Sequence, residues 1–308
     1  MTNPLVRWAA RPEVRDAVLI TPAARELVSR YVAGEGVAEL VPVLTSLLTK
    51  GLDVSIEYLG QPVEELAAAE QNLAGYLSLI RRVGEAGVAQ GAELSVRLSW
   101  LGLELGDAGF GFARDAARKI ARQASNSGML LTVDMTQAAS ADATLDIWGQ
   151  LHQDWPRTGI TVQADLFRTP RDLAELATPG TRIRLCKGSF RESRQVAFRN
   201  HHEIDLAYVR SLRTLMNSQA IPLIATHDPR LIAISEELIR RSGRAPGSYE
   251  FQMLYGVRPY ELRRLVDIGH TGRNYVPFGP GWYDYYLRRL ADRPTTMALF
   301  ARSLVGKR

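Results

Sequence analysis

The chain has 308 residues, about twice the length of a typical domain, which allows two ordinary domains or one large barrel. Hydrophobic residues make up 46% and charged residues 23%, which excludes a disordered or collagen-like chain, and the single cysteine, Cys186, excludes an intrachain disulfide. The net charge of +5 is a mild excess without long basic runs, so we expect no nucleic-acid partner.

The N-terminal 50 residues predict two amphipathic helices, over Pro22–Val32 and Val37–Lys50. They lack the continuous apolar stretch and the cleavage site of a secretory signal, and no later segment has the ~18 apolar residues of a membrane span. Arg7, Arg11 and Arg15 stand at helical spacing, which fits a solvated face or a peripheral contact with an anionic membrane. We therefore expect a cytoplasmic protein, with peripheral contact to the inner membrane as the alternative, and no bound metal.

Short β-rich runs and helical patterns alternate along the rest of the chain. The predicted strands are 53–59, 93–100, 129–135, 159–165, 182–187, 221–227, 249–254 and 274–278. The predicted helices between them include Val63–Ala86, Phe112–Ala124, Arg171–Ala177, Ala197–Met216, Arg230–Arg241 and Tyr260–Ile268. This alternation predicts an α/β fold, a (β/α)8 TIM barrel with N-terminal helices, distorted at its short fourth crossover. No linker interrupts it, so we predict one domain over 1–308, with residues 1–50 as a helical addition.

The carboxyl ends of the predicted strands are rich in polar residues. They are Arg97, Trp100, Asp134, Gln163, Asp165, Arg184, Lys187, Gly188, Thr226, His227, Asp228, Gln252, Leu254 and Tyr275. Burying an unpaired polar group costs about 1–3 kcal/mol, so an ordinary core would not place so many there. Because active sites of this fold lie at these strand ends, we expect a large polar ligand in the opening that they surround, the barrel mouth.

Two groups of cations are candidates for binding such a ligand. Arg288 and Arg289 share a helix face with Tyr285 and Asp292 and could grip a carboxylate, although other arginine doublets in the chain fit a solvated surface.

Arg184 and Lys187 form the second group, and they end the fifth predicted strand just before Gly188. They could face a phosphate or an electron-rich ring, Lys187 could form a Schiff base, or both could pair with Asp134 or Asp165. Cys186 between them fits a small packing residue better than a nucleophile.

Several motifs, taken together, resemble the proline dehydrogenase family in its monofunctional bacterial form. They are VDM at 133–135, VQA at 162–164, RLCKGSF at 184–190, ATHDPRLI at 225–232, YEFQMLYGVRP at 249–259, YVPFG at 275–279 and WYDYYLRRLADRP at 282–294. The resemblance implies a distorted (β/α)8 barrel that binds FAD and oxidises L-proline to Δ1-pyrroline-5-carboxylate. It further implies hydride transfer to flavin N5, a quinone as electron acceptor, and a final helix over the barrel mouth at 282–293.

The resemblance also implies roles for individual residues. The catalytic residues are Arg184, Arg97 and Asp134, and the substrate-binding residues are Arg288, Arg289, Tyr275, Tyr285, Leu254, Ser189 and Arg97. The cofactor-binding residues are Asp134, Met135, Gln163, Arg184, Lys187, Gly188, Ser189, Thr226, His227, Asp228, Gln252, Arg289 and Asp292.

Four residues depart from the family pattern near the implied site. Arg97 stands where a lysine is usual, Phe190 replaces a tyrosine, Ser189 replaces an alanine, and Thr136 replaces an acidic residue. Arginine and lysine differ in shape and hydrogen bonding, so these changes leave open the oxidation of a related cyclic amino acid in a specialised pathway. A Schiff-base lyase acting through Lys187 and a non-catalytic barrel that binds a flavin or an amino acid remain the alternatives from other classes.

Overall fold

The computed structural model describes residues 26, 28–188, 190, 192–283 and 285, in which helices and strands alternate. The strands are β1 Asp53–Tyr58, β2 Glu93–Arg97, β3 Leu130–Asp134, β4 Gly159–Gln163, β5 Arg182–Cys186, β6 Ile221–Ala225, β7 Glu250–Leu254 and β8 Gly272–Phe278. The helices are α1 Val37–Leu48, α2 Leu66–Glu85, α3 Gly106–Asn126, α4 Ala141–Asp154, α5 Thr169–Leu176, α6 His201–Met216, α7 Pro229–Ser242 and α8 Pro259–Asp267.

All eight strands pair in parallel with their neighbours in chain order, and β8 pairs with β1 to close the barrel. The closing register runs from Asp53 opposite Arg273 to Tyr58 opposite Phe278. Closure leaves no unpaired strand edge and gathers all the carboxyl ends around one mouth. The predicted barrel is therefore confirmed, including its short fourth crossover, the eight-residue helix α5.

Local sequence signals explain where the two helices next to the mouth begin. Asn200 and Asp228 precede α6 and α7, and their side chains accept the backbone N–H groups of His202 and Arg230 at 2.8 and 3.0 Å. Such caps satisfy N–H groups that have no partner within the helix, and Pro229 at the first position of α7 has no N–H to satisfy. These caps fix the chain direction immediately after β5 and β6.

Arg244 closes the opposite end of α6. Its guanidinium donates to the main-chain carbonyls of residues 215, 216, 218, 220 and 248 at 2.6–3.2 Å. The last carbonyls of a helix have no partner within it, so this one side chain satisfies acceptors that would otherwise need water. The contact ties the end of α6 to the approach to β6 and to the loop before β7.

The barrel interior is polar to an unusual degree. Side chains at alternate strand positions share a face, and the inward positions carry Ser55, Glu93, Ser95, Thr132, Asp134, Thr161, Arg182, Arg184, Glu250, Gln252 and Arg273. They bond across the barrel: Arg184 on β5 reaches Ser55 on β1 at 3.0 Å, and Arg182 reaches Glu93 on β2 at 3.0 Å. The apolar core lies between the strands and the surrounding helices, while charges and hydroxyls fill the barrel itself.

Four segments differ from the sequence prediction or lie partly outside the described residues. The second strand, predicted over 93–100, ends at Arg97, because Leu98–Leu101 form a 3-10 turn that Gly102 ends at φ 82°. The helix α4 lies in the third crossover, for which the sequence analysis gave no bounds, and it buries Ile147, Trp148 and Leu151. Residues 22–25 and 27 of the helix predicted over Pro22–Val32 lie outside the described residues, as does most of the helix predicted over 282–293.

Candidate active site

A cavity of about 350 Å³ opens at the carboxyl ends of the strands. Its lining residues are Arg97, Asp134, Met135, Thr136, Thr161, Arg184, Cys186, Lys187, Gly188, Phe190, Ala225, Thr226, His227, Asp228, Gln252, Met253, Leu254 and Tyr275. The volume falls within the range of about 300–1,000 Å³ typical of small-molecule sites. Most of the predicted site residues within the described chain therefore meet in one cavity, at the position expected for this fold.

Arg184 is the central cation of this cavity and is almost fully buried. Its five N–H donors all have partners: Nε donates to Gln252 at 2.5 Å, and the others reach Ser55, Ser95, Glu93 and Asp134. Burial lowers the pKa of Arg184, but the carboxylates of Glu93 and Asp134 outweigh it and raise the pKa above its ordinary value. The guanidinium is therefore a permanent cation held in one orientation.

Asp134 joins Arg184 to the opposite side of the barrel. Its carboxylate accepts hydrogen bonds from Arg184 at 2.7 Å, Thr161 at 2.6 Å and the Tyr275 hydroxyl at 2.7 Å. The Arg184 guanidinium also lies 5.1 Å from the centre of the Tyr275 ring, a cation–π distance. Burial, with the negative charges of Asp134 and Glu57, raises the pKa of Tyr275 well above its usual value, so this phenol stays protonated and donates to Asp134.

Arg97 extends from the end of β2 into the same cavity and forms an ion pair with Glu57 of β1. The Glu57 side chain is fully buried, whereas 16% of the Arg97 side chain is exposed. Burial lowers the pKa of Arg97, and Glu57, Tyr275, Asp134 and Tyr285 raise it above its ordinary value. Tyr285 is itself buried and is among the groups that raise the pKa of Arg97, so the start of the last predicted helix reaches the mouth.

Lys187 occupies the rim of the cavity after β5. Its ammonium donates to Asp205 at 2.5 Å and to Asp228 at 3.0 Å, and Arg230 reaches the same two carboxylates at 2.8 and 2.9 Å. Hydrogen bonds from Arg230, followed by the one from Lys187, hold the pKa of Asp228 well below its usual value, although burial opposes them. The structural ion pair considered for Lys187 therefore exists, with Asp205 and Asp228 in place of Asp134 or Asp165.

His227 and Thr226 line the wall next to Lys187. The Nε2 atom of His227 accepts the backbone N–H of Leu254 at 2.8 Å, so the neutral imidazole carries its proton on Nδ1. The Thr226 hydroxyl accepts the backbone N–H of Asp228 at 3.2 Å, which leaves its proton available to another acceptor. This wall combines hydroxyl and imidazole groups with the apolar side chain of Leu254.

Gly188 lets the main chain pass close over Asp165. Its φ of 121° lies in a region that side-chain-bearing residues rarely adopt, and a Cβ there would overlap the Asp165 carboxylate. The Oδ1 atom of Asp165 is buried without a hydrogen-bond partner. Burial raises the pKa of this carboxyl to about 6, with a smaller contribution from the negative charge of Glu192.

Three predicted residues occupy less open positions around the cavity. Met135 lines it but is almost fully buried in a small cluster with Leu166. Gln163 lies outside the lining and donates to the Thr136 carbonyl at 2.6 Å, which places it behind the wall. Burial, helped by Asp165 and Asp134, raises the pKa of the Cys186 thiol to about 12, which is consistent with a packing residue.

Ser189, Arg288, Arg289 and Asp292 lie outside the described residues, so their predicted roles stay predictions.

The carboxylates that hold the two arginines of the mouth were missed by the sequence analysis. Glu57 and Glu93 belong to the first two strands, which resemble the family only loosely. The sequence does contain a signal that could have pointed to Glu93, because Glu93, Ser95 and Arg97 stand at alternate positions of β2 and must share one face.

Across the described residues no group of three His, Cys, Asp or Glu side chains could hold a metal ion.

Comparison with known proteins identifies relatives along almost the whole chain. The sequence profile of the family described as Proline dehydrogenase matches residues 42–292. Proline dehydrogenase 1 of Bacillus subtilis (strain 168) is 31% identical over 278 residues, which cover 90% of both chains. Proline dehydrogenase of Deinococcus radiodurans is 27% identical over 299 residues, which cover 96% of this chain and 95% of the relative.

Solved structures of larger proteins share the fold. Proline utilization A (PutA) from Bdellovibrio bacteriovorus, inactivated by N-propargylglycine, aligns with a TM-score of 0.81 at 19% identity, covering 99% of this chain and 40% of that chain. PutA from Bradyrhizobium japonicum, as the mutant D778Y, aligns with a TM-score of 0.70 at 21% identity, covering 97% of this chain and 35% of that chain. This chain therefore spans well under half the length of these PutA proteins, with the same barrel.

Proposed function

The chain belongs to the proline dehydrogenase family, and we propose that it oxidises L-proline to Δ1-pyrroline-5-carboxylate with FAD as the hydride acceptor and a quinone as the next electron acceptor. The observation that carries this proposal is the buried cation Arg184, fixed in the polar mouth beside Tyr275 and Asp134. An acyl-transfer or metal-dependent hydrolysis would need a nucleophile or a metal site that these side chains do not form.

The residues around the mouth suit a flavin in three respects. Thr226 offers an O–H from one wall, the His227 imidazole lies beside it, and Lys187 adds a cation at the rim. Gly188 lets the backbone approach a flat ligand where any side chain would collide with Asp165. Met135 and Leu254 supply apolar surface next to these polar groups. We propose that this set, together with Asp134, Gln163, Ser189, Asp228, Gln252, Arg289 and Asp292, holds the cofactor.

Bound FAD supplies a hydride acceptor at N5 and thereby the oxidising power of the reaction. Proline loses a hydride from the ring carbon that adjoins nitrogen and does not bear the carboxylate, and it loses a proton from the amine. The C=N bond forms between that carbon and the nitrogen. The Arg184 cation stabilises negative charge that develops near it in this step. Since all five of its donors are already engaged, folding fixes its orientation before any substrate arrives.

The substrate pocket lies between the cofactor residues and the last predicted helix. We propose that Arg288 and Arg289 bind the proline carboxylate, that Arg97 adds positive charge beside it, and that Tyr275, Tyr285, Leu254 and Ser189 shape the ring pocket. The proline carboxylate would balance the charges of Arg288 and Arg289, because Glu57 already pairs with Arg97.

The lyase alternative is disfavoured by the position of Lys187. A Schiff-base lysine needs a desolvated, neutral amine, whereas two carboxylates bond the Lys187 ammonium.

The proposal also includes a quinone as electron acceptor and a peripheral contact of the protein with the inner membrane. No helix in the described part of the chain combines the length and apolarity that crossing a membrane requires.

Steady-state assays of three proteins test the proposal. We expect the wild-type holoenzyme to oxidise L-proline with an artificial quinone, Arg184→Met to lose at least 100-fold in kcat/KM, and Lys187→Met to retain the reaction with weaker FAD binding. Product mass separates oxidation from bond cleavage. Loss of all turnover in Lys187→Met at full FAD occupancy would support the lyase, and a better cyclic substrate than proline would revise the specificity.

A further inference from the structure

Glu93 contacts Arg184 from inside the barrel, below the residues that line the cavity. Its side chain is fully buried, and its Oε1 accepts from Arg184 and from the Ser55 hydroxyl at 2.7 Å. Its Oε2 accepts from Thr132 at 2.8 Å and from Arg182 at 3.0 Å. Burial raises the pKa of Glu93, but Arg184, Arg273 and Arg182 lower it well below its usual value, so this carboxylate is ionised.

The five hydrogen bonds of Arg184 divide into two sets. Gln252 and Asp134 line the cavity and contact Arg184 from the mouth. Ser55, Ser95 and Glu93 contact it from below, and Glu93 is the charged member of this lower set. A ligand entering the mouth can exchange bonds with the upper set, whereas the lower set lies beyond its reach.

The lower set is itself ordered by donor and acceptor roles. Ser55 gives its single proton to Glu93, so in the contact of 3.0 Å between the two serines Ser95 is the donor. Ser95 then accepts from Arg184 at 2.7 Å. The ionised Glu93 carboxylate thus orients both hydroxyls so that their lone pairs face the guanidinium.

We propose that Glu93 is a positioning residue that holds the Arg184 guanidinium in its catalytic orientation; this inference rests on the proposed function for its kinetic consequence. A glutamine at this position would weaken the lower set, because it carries no charge and only one of its two terminal atoms can accept hydrogen bonds. Arg184 would then turn toward Asp134, the remaining carboxylate that it contacts among the described residues.

Glu250 provides a matched control for the burial of a charge. It is a buried carboxylate of the same interior network, bonded to Arg273 at 2.8 Å and to Arg182 at 3.4 Å. It makes no direct bond to Arg184 and reaches it only through Gln252, whose amide N–H donates to Glu250, a bond that the amide oxygen of Glu250→Gln can still accept. The test compares Glu93→Gln with Glu250→Gln, each alone and combined with Arg184→Met. The measurements are crystal structures, thermal unfolding and the kinetics of proline oxidation.

We expect both single variants to lower the Tm, and only Glu93→Gln to move the Arg184 guanidinium away from Ser55 and Ser95. We expect Glu93→Gln to lower kcat at least tenfold with the KM for proline within threefold, and Glu250→Gln to stay within threefold in both. In the Arg184→Met background, Glu93→Gln should change kcat by less than twofold, because the residue through which it acts is absent.

An unmoved Arg184 in the Glu93→Gln structure, or an equal loss of kcat in Glu250→Gln, would overturn the proposal. If Glu93→Gln does not fold, Ser55→Ala removes a member of the lower set without unpairing a charge, and it should shift Arg184 and lower kcat by threefold or more. If the wild type does not oxidise proline, the proposed function fails, and the position of Arg184 in the variant structures still decides the role of Glu93.

Discussion

Asp165 makes the stability of the barrel depend on pH in a way that can be worked from its surroundings. Its Oδ1 atom is buried without a partner beneath Gly188, and burial raises its pKa from 3.8 to about 6. A carboxyl with a higher pKa in the folded state binds its proton more tightly there, so folding loses stability as the pH rises from about 4 to about 6. Above pH 6 the full penalty is present, and below pH 4 it is absent.

The size of this penalty follows from the shift of roughly two pKa units. Each unit corresponds to about 1.36 kcal/mol, and since Asp165 remains 6% exposed we expect a penalty of about 1–3 kcal/mol at pH 8. Asp165→Asn removes the charge and keeps the shape, so relative to the wild type it should gain this amount between pH 4 and pH 8. Any fixed cost of the buried amide is the same at both pH values and cancels.

Thermal unfolding of Asp165→Asn and wild type, measured from pH 4 to pH 8, tests this reasoning. At about 2–4 °C per kcal/mol for domains somewhat smaller than this chain, the Tm difference should change by several degrees in favour of Asp165→Asn as the pH rises. Glu192→Gln serves as a control that lowers the apparent pKa of Asp165 without removing the carboxyl. A Tm difference between Asp165→Asn and wild type that stays constant from pH 4 to pH 8 would show that the pKa of Asp165 is not raised by folding.

Further predictions concern the mouth and its supports. Arg97→Lys should retain proline oxidation within threefold, because Glu57 can pair with either cation; a loss of more than 30-fold in kcat/KM would show that the pocket requires the guanidinium. Arg244→Met should lower the free energy of unfolding by about 2–4 kcal/mol in denaturant titration, since five carbonyls lose a charged donor; a change below 1 kcal/mol would mean that water replaces it. Gly188→Ala should weaken FAD binding at least tenfold, whereas Gly247→Ala, also at positive φ but in open space, should leave it unchanged; equal affinities would argue against close backbone approach at Gly188.

The eight strands were predictable because each is a short β-rich run bounded by turns, and because strand–helix alternation permits few closed topologies. Strand ends were less predictable. The apolar run in ELSVRLSW continues past Arg97, and only the tertiary turn at Leu98–Leu101 stops β2 there. The bounds of α4 were not predicted, although its buried residues Ile147, Trp148 and Leu151 stand at helical spacing.

The cavity-lining residues were predictable from their places at strand ends, and the pair of Arg184 with Asp134 was one of the alternatives considered, but most other partners were not predictable. Arg184 and Glu93 are 91 residues apart in the chain, and their contact depends on the barrel bringing β5 opposite β2. An ion pair of Lys187 with Asp134 or Asp165 was one of the alternatives considered, yet Lys187 bonds Asp205 of α6 and Asp228 of the α7 cap. Pairings of this kind follow from three-dimensional register, which local patterns do not encode.

An anaerobic titration of the purified wild-type holoprotein with L-proline, followed by the visible absorbance of its flavin, shows whether proline reduces the bound cofactor. We expect L-proline to bleach the bound flavin in proportion to the amount added until one equivalent is reached, Δ1-pyrroline-5-carboxylate to accumulate to the same amount, and a quinone to restore the colour. A protein that carries FAD and keeps its oxidised spectrum in excess L-proline would contradict the proposed proline oxidation.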